Sequence, residues 1–223
     1  MASEVIVGEG LRMDGGVVLG YESDRSRDSA LLLGTSARIR SGSVLYLGTS
    51  IGDRLTTGHG VVIREGCVLG DDVSIWSNSV VDYSCRIGNG VKIHANCYVA
   101  QYTEICEAAF LAPGVTIAND LYPGSAASER VMSGPYIGPG AQIGVNVTIL
   151  PFVRIGAGAM VGAGSVVTRD VPEGVVAFGN PAMVHGRVAD LVDVAARVQF
   201  DSESASRFRF SAPSGDRHPV ATS

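Results

Sequence analysis

Aliphatic residues recur at every sixth position over most of this chain. From Leu33 to Ile117 the series has fifteen members, of which fourteen are aliphatic and one, Thr57, is polar. The members are Leu33, Ile39, Leu45, Ile51, Thr57, Ile63, Leu69, Ile75, Val81, Ile87, Ile93, Val99, Ile105, Leu111 and Ile117. Neither an amphipathic helix nor an alternating strand keeps a period of six, so the pattern predicts a solenoid built from hexapeptides.

A second, mostly small class of residue comes four positions after each member of the series, as in Ala37 and Ser43. Each hexapeptide should supply one short parallel strand and one corner, and three hexapeptides should close a triangular coil of about 18 residues. The period resumes over residues 137–167 after an interruption. The two runs together predict about seven coils, with strands about 4.8 Å apart along the axis.

Three segments depart from the period. Val5–Val7 and Val17–Leu19 look like two short strands joined by a turn, so we expect an N-terminal hairpin. Residues 118–136 are polar and rich in Pro and Gly, which predicts an extruded functional loop. Residues 186–198 have apolar positions at helical spacing, which predicts a short helix before a disordered tail. We therefore divide the chain into N-terminal strands or a cap (1–30), a β-helix domain (31–187) and a C-terminal helix with its tail (188–223).

Charge and hydropathy exclude several classes of partner. The net charge is −5, which disfavours nucleic acid and anionic membrane surfaces. No apolar run approaches the roughly 20 residues of a membrane span, and Met1–Gly20 lacks the pattern of a leader, so we expect a cytoplasmic protein.

The four cysteines form no CxxC pair, and no metal is expected. Cys67 and Cys85 should stack one coil apart, as reduced core residues rather than as a disulfide.

The ending of the repeat region, Ile155–Ala182 (IGAGAMVGAGSVVTRDVPEGVVAFGNPA), resembles the coenzyme A-binding terminus of the hexapeptide-repeat acyltransferases. Members of that family fold as left-handed parallel β-helices and act as trimers with an acyl-CoA donor. Within the family, Gly90–Val99, Leu111–Pro123 and Ala126–Arg130 are similar to N-acetyltransferases of nucleotide-linked amino sugars. The resemblance implies an acetyl-CoA-dependent N-acetyltransferase of an amino sugar, working as a homotrimer in surface-polysaccharide or glycoside biosynthesis.

For the donor, the resemblance implies a groove along the last coils. The expected contacts with coenzyme A are Gly162, Ala163, Gly164, Arg169, Gly179, Asn180, Pro181, Ala182 and Arg187. The two arginines are candidates for the phosphates, because a guanidinium matches phosphate geometry. One departure weakens that assignment: Met183 follows the GNPA motif, where the family often has a basic residue.

For the acceptor, Asn119 matches the asparagine that anchors the sugar amine in related N-acetyltransferases. An amide can accept a hydrogen bond from the amine and hold it near the thioester carbon. His94 is the candidate base, because it lies in the segment similar to the sugar enzymes; the alternative is attack by the amine without a side-chain base. The coil spacing should place His94 and His59 on one face, two coils apart, with Trp76 between them. The remaining expected sugar contacts are His59, Asn96, Tyr122 and Arg130.

Three alternatives stay open from the sequence. A sugar O-acetyltransferase would depend more strongly on a histidine base, and the loop at 118–136 contains no histidine. A non-catalytic β-helix module would not need the GNPA ending. A γ-class carbonic anhydrase needs three zinc-binding histidines, and Val99 stands where that family places a third one after His94.

Overall fold

The computed structural model describes residues 4–26, 29–126 and 128–191. Their regular elements are mostly strands of two to four residues. The strands are β1 (Glu4–Val7), β2 (Arg12–Met13), β3 (Val18–Tyr21), β4 (Ala30–Leu33), β5 (Arg38–Ile39), β6 (Val44–Tyr46), β7 (Ser50–Ile51), β8 (Thr56–Thr57), β9 (Val62–Ile63), β10 (Val68–Leu69), β11 (Ser74–Ile75), β12 (Val80–Val81), β13 (Arg86–Ile87), β14 (Lys92–Ile93), β15 (Tyr98–Val99), β16 (Glu104–Ile105), β17 (Phe110–Leu111), β18 (Thr116–Ile117), β19 (Tyr136–Ile137), β20 (Gln142–Ile143), β21 (Thr148–Ile149), β22 (Arg154–Ile155), β23 (Met160–Val161), β24 (Val166–Val167), β25 (Val175–Gly179) and β26 (Ala182–Arg187). A single helical turn, α1 (Ser128–Val131), and a 3₁₀ turn, Val188–Asp190, complete the elements.

The strands form three parallel sheets that run along the molecule as the faces of a prism. Sheet A contains β1, β4, β7 and every third strand to β22; sheet B starts at β2 and sheet C at β3. A strand pairs with the strand three further along the chain, as where Val68 faces Arg86, three hexapeptides on. The fold is a left-handed parallel β-helix, as the family resemblance implies. Strands β1 to β24 make eight coils, one more than the two runs of the period predict.

The hexapeptide series supplies the core. All fifteen positions of the series from Leu33 to Ile117 are at most 5% exposed, Thr57 included. The small class that follows them, such as Ala37, is equally buried. Large and small residues alternate because the inward positions of one coil share a narrow triangular section. Each buried aliphatic side chain contributes roughly 1.5–3 kcal/mol relative to exposure.

The predicted N-terminal hairpin is wrong. Strand β1 pairs in parallel with β4, and β3 pairs in parallel with β6, so residues 4–21 form the first coil of the helix. Leu19 faces Leu45, which lies eight positions further along the chain than the partner in a regular coil. This insertion after β3 therefore shifts the phase of the hexapeptide series and hides the first coil from the sequence pattern.

The C-terminal end also differs from expectation. Gly186 and Arg187, predicted as helical, belong to β26, which pairs antiparallel with β25. Strand β25 continues sheet B beyond β23. Val188–Asp190 form only a 3₁₀ turn. Residues 192–198 of the predicted helix and the tail lie outside the described residues, and the division into three parts remains a prediction. None of the helices in the described ranges is long and apolar enough to cross a bilayer.

The cysteines Cys67, Cys85 and Cys97 are buried free thiols, as expected for core packing. The neighbouring Cys67 side chain and burial raise the pKa of Cys85, so it stays protonated at neutral pH.

Candidate functional site

Two insertions leave the helix at the same corner, between sheet C and sheet A. The first follows β3. The second follows β18 and comes before β19. Its length is seen from the pairing of β16 with β19, in which Glu104 faces Tyr136, fourteen positions further along the chain than the partner in a regular coil. The backbone of this loop is anchored by Asp120, whose carboxylate accepts hydrogen bonds from the Tyr122 amide at 2.8 Å and from the Ser128 hydroxyl. The side chain of Tyr122 is 69% exposed.

Asn119 opens this loop and stands directly above Gln101, one coil below. Asn119 Nδ2 donates a hydrogen bond to Gln101 Oε1 at 2.6 Å, and Gln101 Nε2 donates to Asp82 Oδ2. The Asn119 carbonyl accepts the Ser133 amide at 3.0 Å, which closes the loop. Met132 Sδ lies 3.3 Å from Asn119 Nδ2. The side chain of Asn119 is therefore held from two sides.

The chain of hydrogen bonds ends on a buried carboxylate, Asp82. It accepts hydrogen bonds from Arg64 Nη1 at 2.9 Å, the Tyr98 hydroxyl at 2.7 Å and the Tyr83 amide at 2.8 Å. The Arg64 guanidinium also holds Glu65, which is itself buried. Burial and the hydrogen bond to the Asp82 carboxylate raise the pKa of Tyr98 to about 12. Asp82 thus acts as a charged acceptor for several donors at once.

This carboxylate fixes the direction of both amides above it. Because an ionised Asp82 only accepts, Gln101 must turn its NH₂ group towards it. Gln101 Oε1 then faces Asn119, which must offer its own NH₂ group in return. The carbonyl oxygen of the Asn119 side chain is left facing away from the network. The corner therefore presents a hydrogen-bond acceptor whose orientation is set by a charge two coils below.

The candidate histidines lie at a different corner, after the strands of sheet B. The His94 ring stacks on Trp76, with ring centres 4.3 Å apart and planes 11° apart, and Phe110 tilts against its other side at 5.0 Å. His59 is exposed and shares a hydrogen bond with Ser41 Oγ at 2.9 Å. Trp76 stands on the coil between the two histidines, as the coil spacing predicts.

The two other sugar-contact candidates are exposed residues in turns. Asn96 sits at a corner with φ of 59°, a left-handed conformation that asparagine tolerates. Arg130 lies in α1 of the long loop. Within one chain, Asn119 and His94 follow strands of different sheets, so the structure does not bring the two proposed catalytic residues to one corner.

A groove of small residues continues the histidine corner over the last coils. Its floor is formed by Ala112, Gly144 and Gly162, and its volume is about 360 Å³. A side chain at Gly144 would collide with the Ala163 amide at 2.6 Å, so the floor stays open. Phe110 borders one end of the groove. Beyond the other end, the Phe178 ring stacks on His185 at 3.6 Å.

The structure joins the two predicted donor segments. Ser165 Oγ donates to the Gly162 carbonyl at 2.6 Å and accepts from the Gly179 amide at 3.1 Å. The Asn180–Pro181 peptide is cis and leads into β26, where Ala182 packs against the core. Gly164 turns the corner beside the groove with φ of 70°.

The two predicted phosphate-binding arginines lie apart from the lining of this groove. Arg169 is exposed after β24, and Arg187 is exposed in β26 opposite Val175. Across the described ranges, no group of three His, Cys, Asp or Glu side chains is placed to hold a metal ion.

Several residues of these sites were missed by the sequence interpretation. Gln101 lies one coil length before Asn119, so the coil spacing alone would have found it. Asp82 lies one coil lower, and its role was hidden because a lone acidic residue after an aliphatic position has no distinctive pattern. Phe110 and Phe178 have no distinctive pattern in the sequence.

Comparison with known proteins agrees with this architecture. The family described as bacterial transferase hexapeptide (six repeats) matches residues 48–82, 84–119 and 134–169. Among solved structures, UDP-N-acetylglucosamine acyltransferase from Campylobacter jejuni shares the fold with a TM-score of 0.52 and 17% identity, covering 88% of this chain and 81% of that one.

The curated relatives match in shorter segments. Serine acetyltransferase 2 of Arabidopsis thaliana is 47% identical over 78 residues, which is 35% of this chain and 24% of the relative. Galactoside O-acetyltransferase of Lactococcus lactis is 40% identical over 86 residues, which is 35% of this chain and 40% of the relative.

A third relative, dTDP-3-amino-3,6-dideoxy-alpha-D-galactopyranose 3-N-acetyltransferase of Aneurinibacillus thermoaerophilus, is 57% identical over 49 residues, 22% of this chain and 26% of the relative. In each of the three cases the match spans less than half of the relative. By their names, these enzymes acetylate different acceptors. The chain contains the repeats of the bacterial transferase hexapeptide family, and these three relatives are acetyltransferases.

Proposed function

We propose that this protein transfers an acetyl group from acetyl-CoA to the amine of a nucleotide-linked amino sugar. The observation that carries the proposal is the orientation of Asn119, whose side-chain carbonyl oxygen is left as an acceptor by the hydrogen bonds from Asp82 upward. A sugar amine has hydrogens to donate to that oxygen. The segment that is 57% identical to a dTDP-amino-sugar N-acetyltransferase supports the same substrate class.

In the proposed reaction, the neutral amine attacks the thioester carbonyl carbon of acetyl-CoA. The C–N bond forms while the carbonyl oxygen gains negative charge, and the tetrahedral intermediate then collapses as the C–S bond breaks and releases coenzyme A. Asn119 holds the amine at the thioester, which lowers the entropic cost of the attack. The amine proton passes to His94, whose ring is fixed between Trp76 and Phe110.

We further propose that the working enzyme is a homotrimer. Asn119 and His94 lie at different corners of one prism, so a neighbouring chain is needed to bring one of each together. A triangular prism offers flat faces for such packing. A cytoplasmic location is proposed from the need for acetyl-CoA.

The remaining predicted contacts complete the proposal. The donor would lie along the groove over Gly162 and Ala163, with the amides of the last coils facing it. Arg169 and Arg187 are proposed to reach the phosphates from outside the groove lining, where both are exposed. The contacts proposed for the sugar are His59, Asn96, Tyr122 and Arg130, and the remaining contacts for coenzyme A are Gly164, Gly179, Asn180, Pro181 and Ala182.

Free-thiol release from acetyl-CoA tests this function directly. The acceptors to be tested are dTDP- and UDP-linked amino sugars, the matching sugars with a hydroxyl in place of the amine, and serine. We expect turnover of the amino sugars. Asn119→Ala should lower kcat/KM by about 10- to 100-fold, because an oriented hydrogen bond worth roughly 1–3 kcal/mol is lost. An unchanged kcat/KM for Asn119→Ala would remove the acceptor assignment.

The second candidate is acetylation of a sugar hydroxyl. It is favoured by the match to a galactoside O-acetyltransferase, and a hydroxyl can also donate to the oxygen of Asn119. A hydroxyl is a weaker nucleophile than an amine and needs a base in the transition state. Turnover of hydroxyl acceptors that is lost in His94→Ala, with none for amines, would select this candidate.

A further inference from the structure

Planar side chains follow successive strands of sheet B, with one gap. The positions directly after β5, β8, β11 and β14 are Arg40, Gly58, Trp76 and His94. Trp76 and His94, one coil apart, are already stacked. Because Gly58 has no side chain, two coil spacings, about 9.6 Å, separate the levels of Arg40 and Trp76. One flat ring in contact on both faces needs about 7–8 Å, so the gap has room for a single ring.

The gap is a pocket of about 190 Å³. Its lining includes the hydroxyl residues Thr56 and Ser74 beside the face of Trp76. His59 borders it with a ring whose Nδ1 is bonded to Ser41, which leaves Nε2 outside that contact. The ring of Trp76 on one side, a cationic arginine on the other and hydrogen-bonding groups in the lining are suited to a heteroaromatic ring.

The backbone at this pocket departs from the regular ladder. In ordinary coils the residue after a strand donates its amide to a carbonyl of the next coil, as Gly34 does to Ile51 at 2.9 Å. Arg40 instead donates its amide to the Thr57 hydroxyl at 3.0 Å. Thr57 is the one polar member of the fifteen-residue core series, and it lies at the base of the pocket. The exception in the sequence and the irregularity in the ladder thus coincide.

Both walls of the gap have contacts of their own with the protein. Asp14 lies 3.5 Å from the Arg40 guanidinium and restrains it. A side chain at Gly58 would meet the Ser77 amide at 2.4 Å, which keeps the gap open. On the other side, the stack with His94 sets the plane of Trp76. A site with ordered walls loses little entropy on binding.

We propose that the gap between Arg40 and Trp76 binds a nucleobase. The identification of the acceptor as a nucleotide-linked sugar rests on the proposed function. Gly58 lies three coils, about 14 Å, from the Ala112 end of the donor groove along the same corner. A nucleotide sugar bound with its base in the gap extends towards His94, where the two substrates would meet. Adenine of coenzyme A is the other source of the same chemistry.

The protein contains a single tryptophan, Trp76, which makes fluorescence a direct probe of the gap. The intact protein is titrated with dTDP, UDP, GDP and 3′,5′-ADP, with absorption by the nucleotides corrected against free N-acetyltryptophanamide. We expect saturable quenching by the nucleoside diphosphates. Quenching by 3′,5′-ADP alone would assign the gap to the adenine of the donor, and no quenching by any of the four would overturn the proposal.

Two variants separate stacking from other effects. Arg40→Met should raise the Kd by about three- to tenfold, since a cation over a ring face is lost, while the control Arg86→Met on sheet A should leave it unchanged. Trp76→Leu, measured by calorimetry, should raise the Kd at least about fivefold. Unchanged Kd values in both variants, with folding verified by circular dichroism, would refute the gap as the base site. Because binding is measured without acetyl transfer, absence of catalysis leaves the result interpretable.

Discussion

Replacing Asp82 by asparagine should reverse the direction of the amide chain that reaches Asn119. The introduced asparagine can keep its carbonyl oxygen towards Arg64, but its NH₂ group then replaces the oxygen that faces Gln101. Gln101 has to turn its carbonyl to that group and its own NH₂ group to Asn119. Asn119 would then present a donor where the native protein presents an acceptor.

The expected size of the effect follows from the hydrogen bonds. A donor facing the substrate amine loses the oriented bond and leaves a polar group unsatisfied, at a cost of about 1–3 kcal/mol. That cost corresponds to about a 10- to 100-fold drop in kcat/KM. Stability should fall by only about 1–2 kcal/mol, because the Tyr83 amide keeps its acceptor and Arg64 keeps Glu65.

A second substitution tests the direction rather than the mere presence of the residue. Asn119→Asp alone places a carboxylate against the Gln101 oxygen and should lower kcat/KM. In the double variant Asp82→Asn with Asn119→Asp, the carboxylate accepts from Gln101 and still offers an oxygen to the amine. We therefore expect the double variant to be more active than the product of the two single effects, with a coupling of about 1 kcal/mol or more.

The assay is thiol release with the preferred amino sugar, combined with chemical denaturation of every variant. Asp72→Asn provides the matched control, since Asp72 is an exposed partner of Arg54 at another corner and should leave kcat/KM unchanged. Strictly additive effects of the two substitutions would refute the polarity argument. So would an Asp82→Asn variant that retains native kcat/KM.

Three further predictions follow from the fold and the groove. Deleting residues 120–133 joins Asn119 to Gly134 and restores a six-residue step from Ile117 to Ile137. The melting temperature should therefore be kept, while amino-sugar turnover is lost. A deletion one residue shorter should shift the register of the strands and destabilise the protein. The pKa of Tyr98, about 12 in the folded protein, exceeds the unfolded value of about 10, so this group stabilises fully below about pH 10 and less as the pH rises towards 12; chemical denaturation should show that Tyr98→Phe flattens this alkaline loss. Ala163→Leu should fill the donor groove and weaken coenzyme A binding in calorimetry at least about tenfold, and equal binding by this variant and the control Ala157→Leu would contradict the groove assignment.

The hexapeptide period determined most of the architecture. An aliphatic residue at every sixth position can be buried only if the chain turns once per hexapeptide, and this requirement fixes the coil, the corners and the core. Interruptions of the period were harder to interpret. The insertion after β3 shifts the phase, so the first coil has the sequence pattern of a hairpin. At the other end, Gly186 and Arg187 begin a segment, 186–198, whose apolar spacing is typical of a helix. They nevertheless complete an antiparallel strand pair, because β25 leaves an open sheet edge for them.

The sequence also identified Asn119 as a candidate for the acceptor site, through its resemblance to sugar acetyltransferases. What the side chain can do there was decided by tertiary structure. The sequence does not say which way the NH₂ group and the carbonyl oxygen of this amide point. Asp82, two coils earlier, sets that direction through the Gln101 amide, one coil below Asn119. The same holds for the gap at Gly58, which becomes a binding pocket only when coils stack Arg40 beneath Trp76. A periodic sequence determines which residues point inward, but contacts between residues one coil apart exist only after the coils have closed.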